Sequence, residues 1–68
     1  MRPVSGKRMC KALESKDWIF ARIEGSHHIY TQPGSRLSIA VPVHGNRDLA
    51  PGTQRKIMRQ GGLTDADL

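Results

Sequence analysis

This chain of 68 residues has one cysteine, Cys10, and so no internal disulfide. No apolar run approaches the roughly 20 residues that cross a bilayer, and the Met1 end lacks the apolar stretch of a secretory leader. A reducing cytoplasm and no membrane insertion are therefore expected. Phosphate-binding glycine loops are missing too: Gly6 and Gly25 belong to no GxGxxG or Walker pattern, so no nucleotide cofactor is expected. His27 and His28 are adjacent and point apart, and Cys10 and His44 complete no standard ligand spacing, which argues against a metal site. Aromatics are scarce, limited to Trp18, Phe20 and Tyr30. Trp18 and Phe20 could stack on bases, but so small a core has few large side chains to draw on, and burial of at least one is expected.

Acidic residues are also in short supply. Six Asp and Glu stand against eleven Lys and Arg, giving a net charge of +5 and a pI near 10.2. Such an excess on a small protein points to a polyanionic partner. The cations fall in separate groups: Arg2, Lys7, Arg8 and Lys11 early, Arg22 and Arg36 centrally, Arg55, Lys56 and Arg59 late. That spread suits a phosphate-contacting surface better than a disordered basic tail, with simple solubility as the bland alternative. Residues 1–68 form a single domain on this reading, and a core this small holds only about 3–5 kcal/mol in reserve. A bound partner would add materially to its stability.

Ser5 can cap a helix running to about Ser15, with Met9, Ala12 and Leu13 on one stripe and Lys7, Arg8, Lys11 and Glu14 outward. Trp18 to Ile23 is aromatic, β-branched or apolar and reads as a first strand. Glu24-Gly25-Ser26 supplies a turn, Gly25 being free to take a positive φ, and His27 to Gln32 returns as a second strand. After Pro33-Gly34-Ser35, Leu37 to Val41 alternates as a third strand that Pro42 stops. His44 to Ala50 has no apolar period and reads as a loop lining a site. Pro51 or Thr53 starts a second helix with Ile57 and Met58 buried, Gly61-Gly62 ends it, and Leu63 folds back as an anchor. The last five residues either form a capped turn or fray. The order helix, three antiparallel strands, helix is an α+β arrangement in which both helices cover one sheet face and leave the other open.

Strand alternation puts His27, Ile29 and Thr31 on one side and His28, Tyr30 and Gln32 on the other. If Ile29 points into the core, His28 falls on the open face near Tyr30, which could stack on a base or donate its hydroxyl. Metal-free RNA cleavage needs one group to take the ribose 2′-hydroxyl proton and another to protonate the leaving oxygen, and imidazole can do either near neutrality. His28 is the candidate for one role; His44 is the candidate for the second, or for a phosphate donor. Lys7, Arg8, Lys11, Arg22, Arg55, Lys56 and Arg59 are the candidate RNA-contacting cations. Surface histidines without a role are the plain alternative.

The stretch Trp18 to Tyr30, closing Arg22-Ile23-Glu24-Gly25-Ser26-His27-His28-Ile29-Tyr30, resembles the signature of the HicA toxins, messenger-RNA interferases of type II toxin–antitoxin pairs. Val41-Pro42-Val43-His44, then Asp48 to Thr53, then Ile57 to Leu63 resemble that family's last strand, loop and final helix in the same order. The resemblance implies a double-stranded-RNA-binding-like fold, His28 as the catalytic histidine, and a cognate HicB antitoxin that blocks the active surface. Two positions depart from the pattern. Lys16-Asp17 stands where a glycine often precedes the aromatic residue, and Gln54 takes a position that is often apolar, which predicts looser packing of the second helix. The rival expectation is a non-catalytic RNA-binding module that reads a duplex by shape and phosphate contact alone.

Overall fold

Ser5 starts the first helix as its sequence suggests. Its hydroxyl accepts a hydrogen bond from the Arg8 amide at 3.1 Å, and α1 runs from Gly6 to Ser15. In the computed structural model, which describes residues 1–68, α1 is followed by strands β1 (Ile19–Glu24), β2 (His27–Thr31) and β3 (Ile39–Pro42), helix α2 (Pro51–Gly61) and a 3₁₀ turn, Asp65–Asp67. The sheet is antiparallel in the order β1-β2-β3. The expected α+β order is observed, and the double-stranded-RNA-binding-like comparison is consistent with it. Two strands begin later than expected: Trp18 and Leu37 lie outside the ladder, and Pro42 ends edge strand β3 from within, where its missing N–H costs no central pairing. Gly6 permits the close packing of α1 on β3, since a Cβ there would overlap the Pro42 carbonyl oxygen.

The two long helices end alike. After α1, the Trp18 amide returns to the Leu13 carbonyl (3.1 Å) and the Asp17 amide to Glu14 (3.2 Å); after α2, the Leu63 amide returns to Met58 (2.8 Å). Each closure throws a large apolar residue, Trp18 or Leu63, back onto the core. The closures differ in the residue that takes the left-handed conformation: Gly62 at φ 68° after α2, Asp17 at φ 68° after α1. The aspartate thus occupies a conformation that glycine adopts without a Cβ penalty.

Met9, Leu13, Tyr30, Ile39, Val41, Ile57 and Met58 share one buried cluster between the helices and the sheet. Tyr30 is only 2% exposed and belongs to this cluster, whereas Ile29 lies outside it. The expectation that Ile29 enters the core is therefore corrected: the inward residue of β2 is Tyr30. His28, directly opposite Val41 in the ladder, shares the helix-covered side with it. The open face belongs to the other parity of β2: His27, Ile29 and Thr31.

A second correction concerns Gln54, which is 1% exposed and packs tightly. Its Oε1 accepts from the Val4 amide (3.1 Å) and its Nε2 donates to the Arg2 carbonyl (2.6 Å), so the amide side chain clamps the N-terminal segment onto α2. The 3₁₀ turn is capped by a reciprocal Thr64–Asp67 pair, and Leu68 is buried.

Two substitutions test these features. Asp17→Gly relieves a left-handed Cβ and is expected to raise stability by about 1 kcal/mol, read as a higher urea midpoint with unchanged slope. Gln54→Ala strands a buried amide and is expected to cost about 1–3 kcal/mol in the same assay, a large share of so small a reserve.

Candidate functional site

The hairpin turn Gly25-Ser26 sets His27 at the start of the central strand, opposite Glu24 on β1 and Pro42 on β3. A register shift between Phe20 and Arg22 leaves Ala21 as the extra residue. Beyond it, Arg22 is opposite Ile29, Ile23 opposite His28 and Glu24 opposite His27. Directly opposed residues project to the same side, so Arg22, Glu24 and His27 share the face that no helix covers. Arg22 Nε donates to Glu24 Oε2 within this group. Ile29, opposite Arg22, is 6% exposed although no helix lies over it.

β3 extends the same arrangement. The Val43 amide donates to the Ser26 carbonyl (2.9 Å), continuing the ladder one step past Pro42, and Val43 packs against the core. His44 follows Val43 beyond the end of β3 and is exposed. His44 lines a pocket of about 200 Å³ with Pro42, Arg47, Asp48, Leu49 and Thr53 at the start of α2. The loop that forms it is held by the Leu49 amide donating to Val4 (2.9 Å) and by a bridge between Ser5 and Asp48. His27, His28 and His44 make no side-chain hydrogen bond to protein, so their ring nitrogens are free for a ligand.

The structure divides the candidates of the sequence into three groups. His28 is half-buried on the covered side, its ring 5.8 Å from that of Phe20, and it does not share a face with Arg22. Tyr30 cannot stack on a base as expected: it is buried, and its hydroxyl donates to Glu14 Oε2 on α1 at 2.5 Å. Arg8 is exposed but engaged, its Nε donating to the Leu68 carbonyl oxygen at 2.8 Å, as does a terminal nitrogen of Arg2. Lys7 and Lys11 on α1, and Arg55, Lys56 and Arg59 on α2, are exposed and engaged in no ion pair. They lie on the helices, across the sheet from Arg22. Trp18 is buried and donates from its indole to the Gly61 carbonyl (3.3 Å), while Phe20 is 47% exposed, so one of the two aromatics is core as expected.

Two residues of the uncovered face and one of the His44 pocket were missed. Glu24 reads from sequence as part of a turn, Arg47 as part of a featureless loop, and His27 as the histidine on the wrong side. The available signal was that Tyr30 is the larger side chain and Glu14, on the first helix, offers an acceptor for its hydroxyl. Burial and the Glu14 bond both push the Tyr30 hydroxyl well above the ordinary phenol range, and burial pushes the Cys10 thiol up as well. Cys10 is thus a packing residue held as the thiol, and Tyr30 a donor held protonated. No group of three or more His, Cys, Asp and Glu side chains is arranged to hold a metal ion, and no helix is long and apolar enough to cross a membrane.

Because the folded state raises this phenol, the stability it contributes is present below the ordinary phenol pKa of about 10 and lost as pH climbs above it. Wild type is expected to lose stability above about pH 10, and Tyr30→Phe to lose correspondingly less over that range. At neutral pH, Tyr30→Phe costs about 0.5–1.5 kcal/mol for the missing hydrogen bond. Thermal melts across the alkaline range check both statements.

A family model described as "HicA toxin of bacterial toxin-antitoxin" matches residues 6–63. No curated protein matches the chain at a significant level.

Proposed function

Starting from the fact that this chain belongs to the HicA toxin family of bacterial toxin–antitoxin systems, we propose that it is a metal-independent endoribonuclease that cleaves messenger RNA in the cytoplasm and so stops translation. The observation that carries the chemical part is the placement of an exposed imidazole, His27, on the uncovered sheet face with Arg22, next to the strand β3 beyond whose end His44 is exposed. An imidazole on the open face beside a basic side chain is the criterion that selected His28 from sequence. With Tyr30 inward, His27 meets it.

In this reading His27 takes the proton from a ribose 2′-hydroxyl as that oxygen attacks the adjacent phosphorus. The bond from phosphorus to the 5′-oxygen breaks, and the leaving oxygen takes a proton from the second group, His44. The products are a 2′,3′-cyclic phosphate and a 5′-hydroxyl, and no oxidant or metal enters the balance. Arg22 offsets charge on the phosphate. Lys7, Lys11, Arg55, Lys56 and Arg59 hold flanking phosphates by long-range attraction, which makes binding fall with salt. The protein partner is the cognate HicB-type antitoxin, which closes the same face.

His28 remains the alternative imidazole, because its ring is 5.8 Å from that of the exposed Phe20, an aromatic on which a base can stack. One experiment decides. Wild type, His27→Ala and His28→Ala are each incubated with a defined messenger RNA in EDTA, and fragments and binding are measured in parallel. His27→Ala is expected to cut at least about a hundredfold more slowly while still binding RNA, and His28→Ala to retain most activity. The reverse pattern assigns the reaction to His28. Salt-sensitive binding by all three with no cleavage makes the chain a binding module.

A further inference from the structure

Resting on the ribonuclease reading, we infer that Glu24 is a positioning residue that holds Arg22 as a two-pronged phosphate grip beside His27. Arg22 is engaged only through Nε, which donates to Glu24 Oε2. Both terminal nitrogens, the prongs that match two phosphate oxygens in one plane, are therefore unoccupied. The two side chains are two residues apart on one strand and each more than half exposed. An exposed pair of this kind contributes little to stability, so holding the fold together is a poor account of it.

Three further features give the pair a direction. Glu24 is directly opposite His27 in the ladder and bonded to Arg22, so it is the residue through which the guanidinium and the imidazole are neighbours on this face. Ile29, opposite Arg22 and nearly buried, supplies a floor along which the aliphatic stem can lie while the charged head stays in water. The other proposed phosphate contacts, Lys7, Lys11, Arg55, Lys56 and Arg59, are on the helices, and Arg22 is the one arginine within the three strands. A carboxylate beside a phosphate site repels the ligand. Its presence is accounted for if it orients the group that grips the reacting phosphate, at some expense in overall affinity.

This assignment separates binding from turnover. Single-turnover cleavage and equilibrium binding of one fluorescein-labelled RNA strand are measured for wild type, Glu24→Ala, Glu24→Gln, Arg22→Ala and Arg22→Lys, with melts to confirm folding. Glu24→Ala is expected to cut on the order of tenfold more slowly while binding as tightly as wild type or more tightly. Glu24→Gln, whose amide oxygen still accepts from Nε, restores most of the rate. Arg22→Ala loses rate and affinity, and Arg22→Lys does not restore the rate because an ammonium has no fork. Wild-type rate in Glu24→Ala, or equal loss of rate in the alanine and glutamine variants, overturns the proposal. If wild type binds RNA without cutting it, the ribonuclease reading fails by itself and the grip is judged on affinity. Weaker binding in Arg22→Ala with none lost in Glu24→Ala keeps it, and unchanged binding in Arg22→Ala overturns it.

Discussion

Tyr30 enters the space between sheet and α1 with its hydroxyl bonded to Glu14, and because a strand alternates with a period of two, that single choice settles the direction of every other residue on β2. His28 is carried to the covered side and His27 to the open one. Through the cross-strand register, the same choice places Arg22 and Glu24 with His27 and turns Ile23 toward His28. Tyr30 can occupy the interior because its one polar atom finds an acceptor within reach on α1. Without Glu14, a buried phenol would carry an unsatisfied hydroxyl, and burial of Ile29 would compete more closely.

The helices act mainly as cover and as carriers of charge. They are closed by the same backbone device, and each closure returns an apolar residue, Trp18 or Leu63, to the core. Gln54 ties the segment before α1 to α2, and Arg2 and Arg8 both reach the Leu68 carbonyl, so the two ends of the chain are held to the same small body. This tethering matters in a protein whose core has few large side chains. It leaves the uncovered face free of structural duty, and that is where exposed titratable groups gather around His27. The division is compatible with the proposed reading, in which this face meets both the RNA and the antitoxin.

Much of the architecture was legible from local patterns. Ser5 as a cap, the turn at Gly25-Ser26, Gly62 as a helix stop and Leu63 as an anchor each follow from the conformational preferences of a few neighbouring residues, and all are found. The departure at Lys16-Asp17 was visible as well, and it bears on the turn: Asp17 takes the left-handed position. Gln54 was misjudged because an isolated polar residue at an apolar position reads as a defect. Its two partners, the Val4 amide and the Arg2 carbonyl, lie about fifty residues away in the chain. The bulge at Ala21 had no local signature either, yet it decides that Arg22 and Glu24, and not Ile23, share a face with His27.

By itself, the sequence determined the order of elements, the basic character of the surface, the histidine-bearing hairpin and the family to which they belong, because propensity, turn chemistry and charge are properties of residues and their near neighbours. Only the tertiary structure decided which side of the central strand faces the helices. Both parities of β2 carry a large apolar residue, Ile29 or Tyr30, and both carry a histidine, so alternation alone leaves the two directions nearly balanced. The balance is broken by an acceptor on another element, Glu14, and with it the identity of the imidazole on the open face.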